Sequence, residues 1–104
     1  MNKKISFVVP CYQDGDSIEK MVRSVRDQDL PDIEIVCIND ASTDNTKLVL
    51  DSLKEQGLID TVIHLEENKG ACVARNLGAK QAHGKYLSFL PADAILYPGV
   101  ARTW

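Results

Sequence analysis

Acidic residues follow each of the four short apolar runs in this sequence, and they are the side chains best suited to chemistry. Asp14 comes after the first run, Asp40 directly after the second, Glu67 after the third and Asp93 after the fourth. Carboxylates repel phosphate groups, but they can hold a divalent cation that bridges phosphate oxygens. They also accept hydrogen bonds from the N–H groups of a base and from ribose hydroxyl groups. If the fold gathers them at one edge, these acids predict a nucleotide site.

Other residues in the same loops have a simpler explanation. Asp16 and Asp44 stand where a helix would begin, so we interpret both as helix caps. Asp40 comes before the capping positions, so capping explains it less well, and we interpret it as a functional residue. Tyr12 is either a packing aromatic or a ring that stacks against a base, and Asp93 alone would be an ordinary turn residue.

The histidines and cysteines show no spacing typical of a catalytic or metal site. His64 and His83 have no second ligand or nucleophile spaced to use them, so both are predicted to be structural. Cys11, Cys37 and Cys72 are an odd number and match no zinc or redox pattern. We therefore expect reduced thiols in or near the core.

The elements that would position the acidic loops alternate along the chain. The four apolar runs are Ile5–Val9, Ile33–Ile38, Val62–Leu65 and Tyr86–Leu90. The first, second and fourth are nearly continuous, which is typical of strands buried on both faces of a parallel sheet. Their spacing leaves room for a helix and two loops, so the sequence predicts consecutive βα units. Ligands of such a sheet bind outside the carboxyl ends of the strands, where the acidic loops lie.

Three segments between the runs have the apolar spacing of amphipathic helices, at 16–29, 44–56 and 70–83. Gly57 and Gly84 are placed to end the second and the third helix. The third segment has small inward-facing residues, so we expect that helix to approach the sheet closely. The predicted inward positions are Ile18, Met21, Val22 and Val25, then Val49, Leu50 and Leu53, then Ala71, Ala74, Leu77, Gly78 and Ala82.

Length and charge narrow the functional classes. The chain has 104 residues, which predicts a single domain over 1–104. Its 12 basic and 15 acidic residues give a net charge of −3, so no basic surface is available for nucleic acid. No run is long enough to span a membrane and the N-terminus lacks a signal peptide, so we expect a cytoplasmic protein or one at the cytoplasmic face of a membrane. The glycine pattern of a dinucleotide-binding Rossmann loop and the P-loop motif are both absent.

Five motifs, taken in order, resemble those of the family 2 glycosyltransferases over essentially the whole chain. They are PCYQD at 10–14, VCINDASTD at 36–44, ENKG at 67–70, ARNLG at 74–78 and GKYLSFL at 84–90. Each motif is a weak signal by itself, but five in sequence are strong. The order of the motifs also disfavours a flavodoxin-like domain, which has the same βα spacing.

The resemblance implies an α/β fold, a three-layer Rossmann-like half of the GT-A architecture. Its mostly parallel sheet would have the strand order 3-2-1-4 with flanking helices. The order reverses between the first and fourth strands, which would bring the 10–14 loop beside Asp93.

The resemblance also implies the activity and the donor site. The donor would be a nucleotide-diphosphate sugar, often a UDP-sugar, and the acceptor an unknown saccharide or lipid-linked molecule. Pro10, Tyr12 and Asp14 would line the base and ribose pocket. Asp40 would accept a hydrogen bond from the base, and Arg75 would help to close the pocket.

A divalent cation, Mg²⁺ or Mn²⁺, is implied on the diphosphate, with Asp93 as its ligand. Asp93 corresponds to the last acid of the family's Asp-x-Asp motif. Pro91 replaces the first Asp, and Ala94 replaces a further acid that usually follows. Since proline offers neither a carboxylate nor an N–H group, we expect weaker metal binding. The same departures support an alternative hypothesis, a degenerate non-catalytic module for nucleotide sensing or protein interaction.

No acid of this chain is assigned as the catalytic base. In inverting members of the family that carboxylate belongs to a C-terminal acceptor half. The start of a further helix at 96–100 comes too near residue 104 for the helix to complete. We therefore expect a fragment of a longer glycosyltransferase, inactive by itself.

Overall fold

Each of the four apolar runs forms a β-strand, and each intervening segment forms a helix. The computed structural model describes residues 5–28 and 32–95. Its strands are β1 (Ile5–Cys11), β2 (Ile33–Asn39), β3 (Thr61–His64) and β4 (Tyr86–Phe89), and its helices are α1 (Ile18–Arg26), α2 (Thr46–Glu55) and α3 (Ala71–Gln81).

The strands form one parallel sheet in the order β3-β2-β1-β4, which confirms the predicted order. Val8 of β1 pairs with Val36 of β2 on one side and with Phe89 of β4 on the other. The order reverses between β1 and β4. Since all four strands run in the same direction, the loops that follow them meet at one edge of the sheet.

Helices cover both faces of the sheet, so the predicted three layers are present. Phe7 and Val9 point to one face and pack with α1 and α2, whereas Val8 points to the other and packs with Ala74 of α3. Every predicted inward residue of α1 is fully buried. Continuous apolar runs in β1 and β2 therefore fill two cores, one on each side of the sheet.

The prediction that β4 is buried on both faces is wrong. Tyr86, Leu87 and Phe89 are each about half exposed. Among the described strands β4 lies at the edge of the sheet and pairs only with β1. A continuous apolar run does not by itself distinguish a central strand from an edge strand.

Helix α3 approaches the sheet closely, as its small residues predict. A Cβ atom on Gly78 would clash with Val8 and would lie 2.5 Å from the Cδ1 atom of Ile38. Ala74 and Gly78 are buried, but the predicted inward residue Ala71 is exposed. Only a residue without a side chain fits at position 78 at this separation.

The two glycines predicted to end helices behave differently. Gly57 follows α2 with a φ angle of +80°, and its amide donates to the carbonyl of Lys54, as expected. Gly84 does not end α3, because the helix already stops at Gln81 and Ala82 is extended. Gly84 instead passes against β1, where a Cβ atom would lie 2.6 Å from the amide nitrogen of Ser6.

No helix within residues 5–28 and 32–95 is long and apolar enough to cross a membrane. The helix start predicted at 96–100 lies outside the described residues.

Candidate functional site

A cleft of about 560 Å³ opens at the carboxyl edge of the sheet, beside the reversal between β1 and β4. Loops after β1, β2 and β4 and the first turns of α3 form its walls. All six residues predicted to bind the donor or the metal line it: Pro10, Tyr12, Asp14, Asp40, Arg75 and Asp93. The lining also includes Cys11, Ala71, Phe89, Leu90, Pro91 and Ala92.

The loop after β1 contributes an aromatic ring that is available to a ligand. Tyr12 is 50% exposed. Its backbone amide donates to the Oδ2 atom of Asp14 at 2.8 Å, so the Asp14 carboxylate holds the loop while it faces the cleft. Gln13, between them, has a left-handed φ angle of +58°. This tight turn directs Tyr12 and Asp14 to the same cleft.

Gln13 clamps this loop to the loop after β2, a role that sequence reasoning missed. Its Oε1 atom accepts hydrogen bonds from the amides of Thr43 at 2.6 Å and Asp44 at 3.1 Å. Its Nε2 atom donates to the Oγ1 atom of Thr43 at 2.8 Å, and its amide donates to Ser42 Oγ at 2.9 Å. The only signal in the sequence was the position of Gln13 within the first motif.

Asp40, which we interpreted from the sequence as a functional residue, also has a structural role. Its side chain is buried, and both carboxylate oxygens accept backbone hydrogen bonds. Lys69 donates to Oδ1 at 2.6 Å and Gly70 donates to Oδ2 at 2.9 Å, just before α3 begins. Asp40 therefore anchors the segment that leads into α3, far along the chain, rather than the start of the adjacent α2. Each oxygen keeps a second lone pair for a donor in the cleft.

The two acids interpreted as caps differ. The N-cap of α2 is Asn45, so Asp44 lies one residue before the predicted capping position, but it accepts hydrogen bonds from the amide of Thr46 at 3.0 Å and from the Thr46 hydroxyl at the first residue of the helix. Hydrogen bonds from Thr46 hold the pKa of Asp44 below its usual value. Asp16 is exposed and makes no capping bond among the described residues. Ser17 occupies the N-cap of α1, and its hydroxyl instead donates to the carbonyl of Ala92 at 3.2 Å, which ties the β4 loop to α1.

The loop after β4 presents one carboxylate to the cleft. Asp93 is exposed, and the Ala94 amide donates to the Pro91 carbonyl at 3.1 Å to close a turn around it. Across residues 5–28 and 32–95, no three His, Cys, Asp or Glu side chains group closely enough to hold a metal ion. The described residues therefore form no closed metal cage. One carboxylate fits the way Mg²⁺ usually binds beside substrate phosphates, with most of its ligands coming from phosphate and water.

Of the remaining polar groups near the cleft, Arg75 and Cys11 line it and Glu67 does not. Arg75 lines it from α3 and makes no ion pair within the described parts of the chain. Glu67 does not line the cleft and pairs with Lys69 at 3.5 Å, so it does not join the other acids. The Cys11 thiol lies in the wall, where hydrogen bonding with Cys37 and burial raise its pKa well above the usual value. A thiol held protonated in this way is a poor nucleophile.

Known proteins are similar to this chain in sequence and in fold. A putative teichuronic acid biosynthesis glycosyltransferase, TuaG of Bacillus subtilis, is 40% identical over 86% of this chain. The structure of S. aureus TarS 1-349 in complex with UDP is 29% identical and matches 96% of this chain with a TM-score of 0.85. A mannosyltransferase from Pyrobaculum calidifontis, in complex with GDP-Man and Mn²⁺, is 25% identical and matches 91% with a TM-score of 0.82.

This chain spans only about a third of those proteins, namely 35% of TuaG, 30% of the TarS chain and 29% of the mannosyltransferase. The family model described as "Glycosyl transferase family 2" matches residues 6–102, which is nearly all of the chain. The parallel sheet, the cleft at its carboxyl edge and the ordered motifs agree with that match. This chain belongs to glycosyl transferase family 2.

Proposed function

We propose that this chain is the donor-binding part of a glycosyltransferase and that the cleft binds a nucleoside-diphosphate sugar. The observation that carries the proposal is the convergence of the predicted donor residues on one cleft from separate loops and α3. The similarity to a TarS complex with UDP and to a mannosyltransferase complex with GDP-Man supports a nucleotide ligand for this chain. A UDP-sugar is our finer proposal for the donor.

The base and ribose would lie against the loops after β1 and β2. The half-exposed ring of Tyr12 would stack on the base, a contact worth about 1–3 kcal/mol. Asp40 is held rigidly by the two amides before α3, so its free lone pairs would accept a hydrogen bond from the base without reorganising. Asp14 and Pro10 would complete this wall around the ribose.

The diphosphate would lie between Arg75 and Asp93. Arg75 supplies a guanidinium without an ion-pair partner among the described residues, and that group suits a phosphate. Asp93 would contribute one ligand to a Mg²⁺ or Mn²⁺ ion that arrives with the donor. The cation would neutralise charge that grows on the departing diphosphate. We assign no catalytic base to the described residues. The acceptor, a saccharide or lipid-linked molecule, stays a prediction. The cytoplasmic location and the single-domain boundary also stay predictions.

Calorimetric titration with UDP, GDP, UDP-GlcNAc and GDP-mannose, with and without Mn²⁺, tests the proposal. We expect micromolar or tighter binding of one nucleotide, strengthened by Mn²⁺. Tyr12→Ala should weaken that binding about tenfold, because it removes the stacking ring. Tyr86→Ala is the matched control, since Tyr86 is 56% exposed but lies outside the cleft. The proposal would be contradicted if none of the four ligands binds, or if the two tyrosine substitutions weaken binding equally.

A non-catalytic module that senses nucleotides or binds another protein is the second candidate. Pro91 and Ala94 favour it, because they leave Asp93 as the one carboxylate in the loop after β4. Release of nucleotide from the sugar donor that binds tightest, measured with Mn²⁺ in the whole protein, separates the two. Turnover would support the enzyme, whereas tight binding without turnover would support the module.

A further inference from the structure

His64, at the end of β3, belongs to a chain of hydrogen bonds that runs from the surface towards the cleft. Its Nε2 atom lies 2.7 Å from the Oδ1 atom of Asp51 on α2. Its Nδ1 atom lies 3.1 Å from the Nδ2 atom of Asn39 at the end of β2. The ring therefore bridges a helix and two strands, which goes beyond the simple structural role that the sequence predicts.

One backbone amide determines which group donates and which accepts in each of these hydrogen bonds. The amide of Ser42 donates to the Oδ1 atom of Asn39 at 3.0 Å, and an amide N–H can only donate. The other end of the Asn39 side chain, its NH₂ group, must then face His64 and donate to Nδ1. Nδ1 therefore carries no hydrogen. The hydrogen of the neutral ring lies on Nε2 and is donated to Asp51.

The bond between Ser42 and Asn39 closes a turn that the backbone would not readily adopt by itself. Ala41, inside this turn, has a left-handed φ angle of +59°, which side chains with a Cβ atom disfavour. Asn39 holds the turn only while its Oδ1 atom faces Ser42. His64 supports this orientation independently of Ser42. A carboxylate can only accept, so Asp51 holds the ring hydrogen on Nε2 and leaves Nδ1 as an acceptor that matches the NH₂ end of Asn39.

The same turn touches both walls of the nucleotide cleft. Asp40, which lines the cleft, lies inside it. Ser42 also accepts a hydrogen bond from the amide of Gln13 at 2.9 Å, and Gln13 separates Tyr12 from Asp14. A turn that shifts at Ala41 therefore moves residues of both loops that face the ligand.

We infer that His64 is a positioning residue for nucleotide binding, acting through Asn39 on the 39–42 turn. The inference rests on the proposed function for its effect on ligand affinity, but not for its effect on the turn. His64 does not line the cleft. Its acceptor atom Nδ1 is what the turn requires, and its bond to Asp51 orients the ring.

The free protein tests the turn by NMR. We expect ¹⁵N shifts of the His64 ring to show hydrogen on Nε2. His64→Asn keeps an acceptor oxygen near the position of Nδ1, whereas His64→Gln keeps only a donor near Nε2. Hydrogen exchange at the Ser42 amide should accelerate about tenfold in His64→Gln and His64→Ala but stay within about threefold of wild type in His64→Asn. Hydrogen on Nδ1, or equal exchange in the Asn and Gln variants, would overturn the inference.

Titration with UDP and GDP then tests the consequence for the cleft. We expect His64→Gln to weaken the better of the two ligands about three- to tenfold and His64→Asn to restore most of the affinity. His83→Ala is the matched control, because His83 bonds to Glu34 at the other end of the sheet. An equal loss in His83→Ala would overturn the inference. If wild type binds neither UDP nor GDP, the titration is repeated with UDP-GlcNAc and GDP-mannose. Failure of all four ligands contradicts the proposed function, while the exchange at Ser42 still decides the role of His64. If His64→Ala does not fold, the Asn and Gln pair supplies the same comparison.

Discussion

Two buried carboxylates hold opposite ends of α3, and they differ in what surrounds them. Asp40, at the carboxyl edge of the sheet, accepts the amides of Lys69 and Gly70 before the helix. Glu34, at the amino end of β2, accepts the amide of His83 after the helix at 2.7 Å. Both residues are only 4% exposed. Each carboxylate therefore secures the same helix to the same strand.

The groups around each carboxylate distinguish the role of Glu34 from the role that we propose for Asp40. Both oxygens of Glu34 are directed to protein groups, since Ser6 donates to Oε1 at 2.6 Å and the His83 ring lies 2.9 Å from Oε2. The hydroxyl of Ser6 in turn accepts the amide of Gly84 at 2.7 Å. Asp40 instead lines a cleft beside the exposed Tyr12. Burial of a carboxylate by itself thus does not distinguish a binding residue from a structural one, and it is the cleft beside Asp40 that supports the proposed nucleotide contact.

The largest expected effect comes from removing each carboxylate in turn. Glu34→Ala should lower the free energy of unfolding by about 2–4 kcal/mol, because it leaves Ser6 and His83 without their acceptor. The nucleotide affinity of the folded protein should not change. Asp40→Ala should lower both stability and affinity. Urea unfolding and calorimetric titration measure the two quantities.

Glu19→Ala is the control for that comparison, because Glu19 forms only an exposed ion pair with Arg23. It should change stability by less than about 1 kcal/mol. If Glu34→Ala weakens nucleotide binding as much as Asp40→Ala does, the inference that only Asp40 contributes to binding is wrong.

The next effect concerns the metal ion that we propose at the carboxyl edge of the sheet. Asp93→Asn should reduce the Mn²⁺-dependent part of nucleotide affinity about tenfold, since it removes the carboxylate available to the cation. Asp16→Asn changes an exposed acid outside the cleft and should have no such effect. Pro91→Asp should strengthen the metal dependence. Titrations with and without Mn²⁺ measure all three, and an unchanged metal dependence in Asp93→Asn would remove Asp93 from the metal site.

A smaller effect tests backbone strain at the same edge. Ala41→Gly should stabilise the protein by about 0.5–1 kcal/mol, because glycine adopts a φ angle of +59° without a steric penalty. Ala79→Gly, inside α3, makes the same change at a helical position and should destabilise by about 0.5–1 kcal/mol. Thermal unfolding compares them. A loss of stability in both variants would show that position 41 stores no strain.

The smallest expected effect is a pH dependence from the opposite edge. Burial alone would raise the pKa of Glu34, but hydrogen bonds from the amide and ring of His83 and from Ser6 bring it below the usual value. A lowered pKa means stability that is complete above the unfolded-state pKa of about 4.3 and is lost as the pH falls through the lower folded value. Urea unfolding at neutral and acidic pH should therefore show a smaller acid loss in Glu34→Gln than in wild type. Identical losses would contradict this.

Much of the fold was predictable because it depends on local patterns and topology. The apolar periodicity located all four strands and all three helices, and the inward stripe Ile18, Met21, Val22 and Val25 is buried as expected. The motif order implied the strand order. The strand positions and the strand order together predict that Pro10, Asp14 and Asp93 lie at one edge, because the loops that follow parallel strands lie on the same side of the sheet.

What the sequence could not determine depends on contacts between distant residues. Asp40 meets Lys69 and Gly70 across 29 and 30 positions, and Gln13 meets Thr43 across 30. Periodicity describes which face of an element is apolar, but not which backbone amide a carboxylate will meet. The half-exposed β4 likewise followed from its place at the edge of the described sheet rather than from its composition.

The sequence by itself determined the βα order, the family and six of the residues that line the cleft, because each follows from local periodicity or from ordered motifs. Only the tertiary structure decided that Asp40 holds the segment before α3 and that Gln13 joins two loops. It also decided that His64 reaches Asn39. Hydrogen bonds are directional and short, so their partners exist only once the strands and helices have brought distant atoms within about 3 Å.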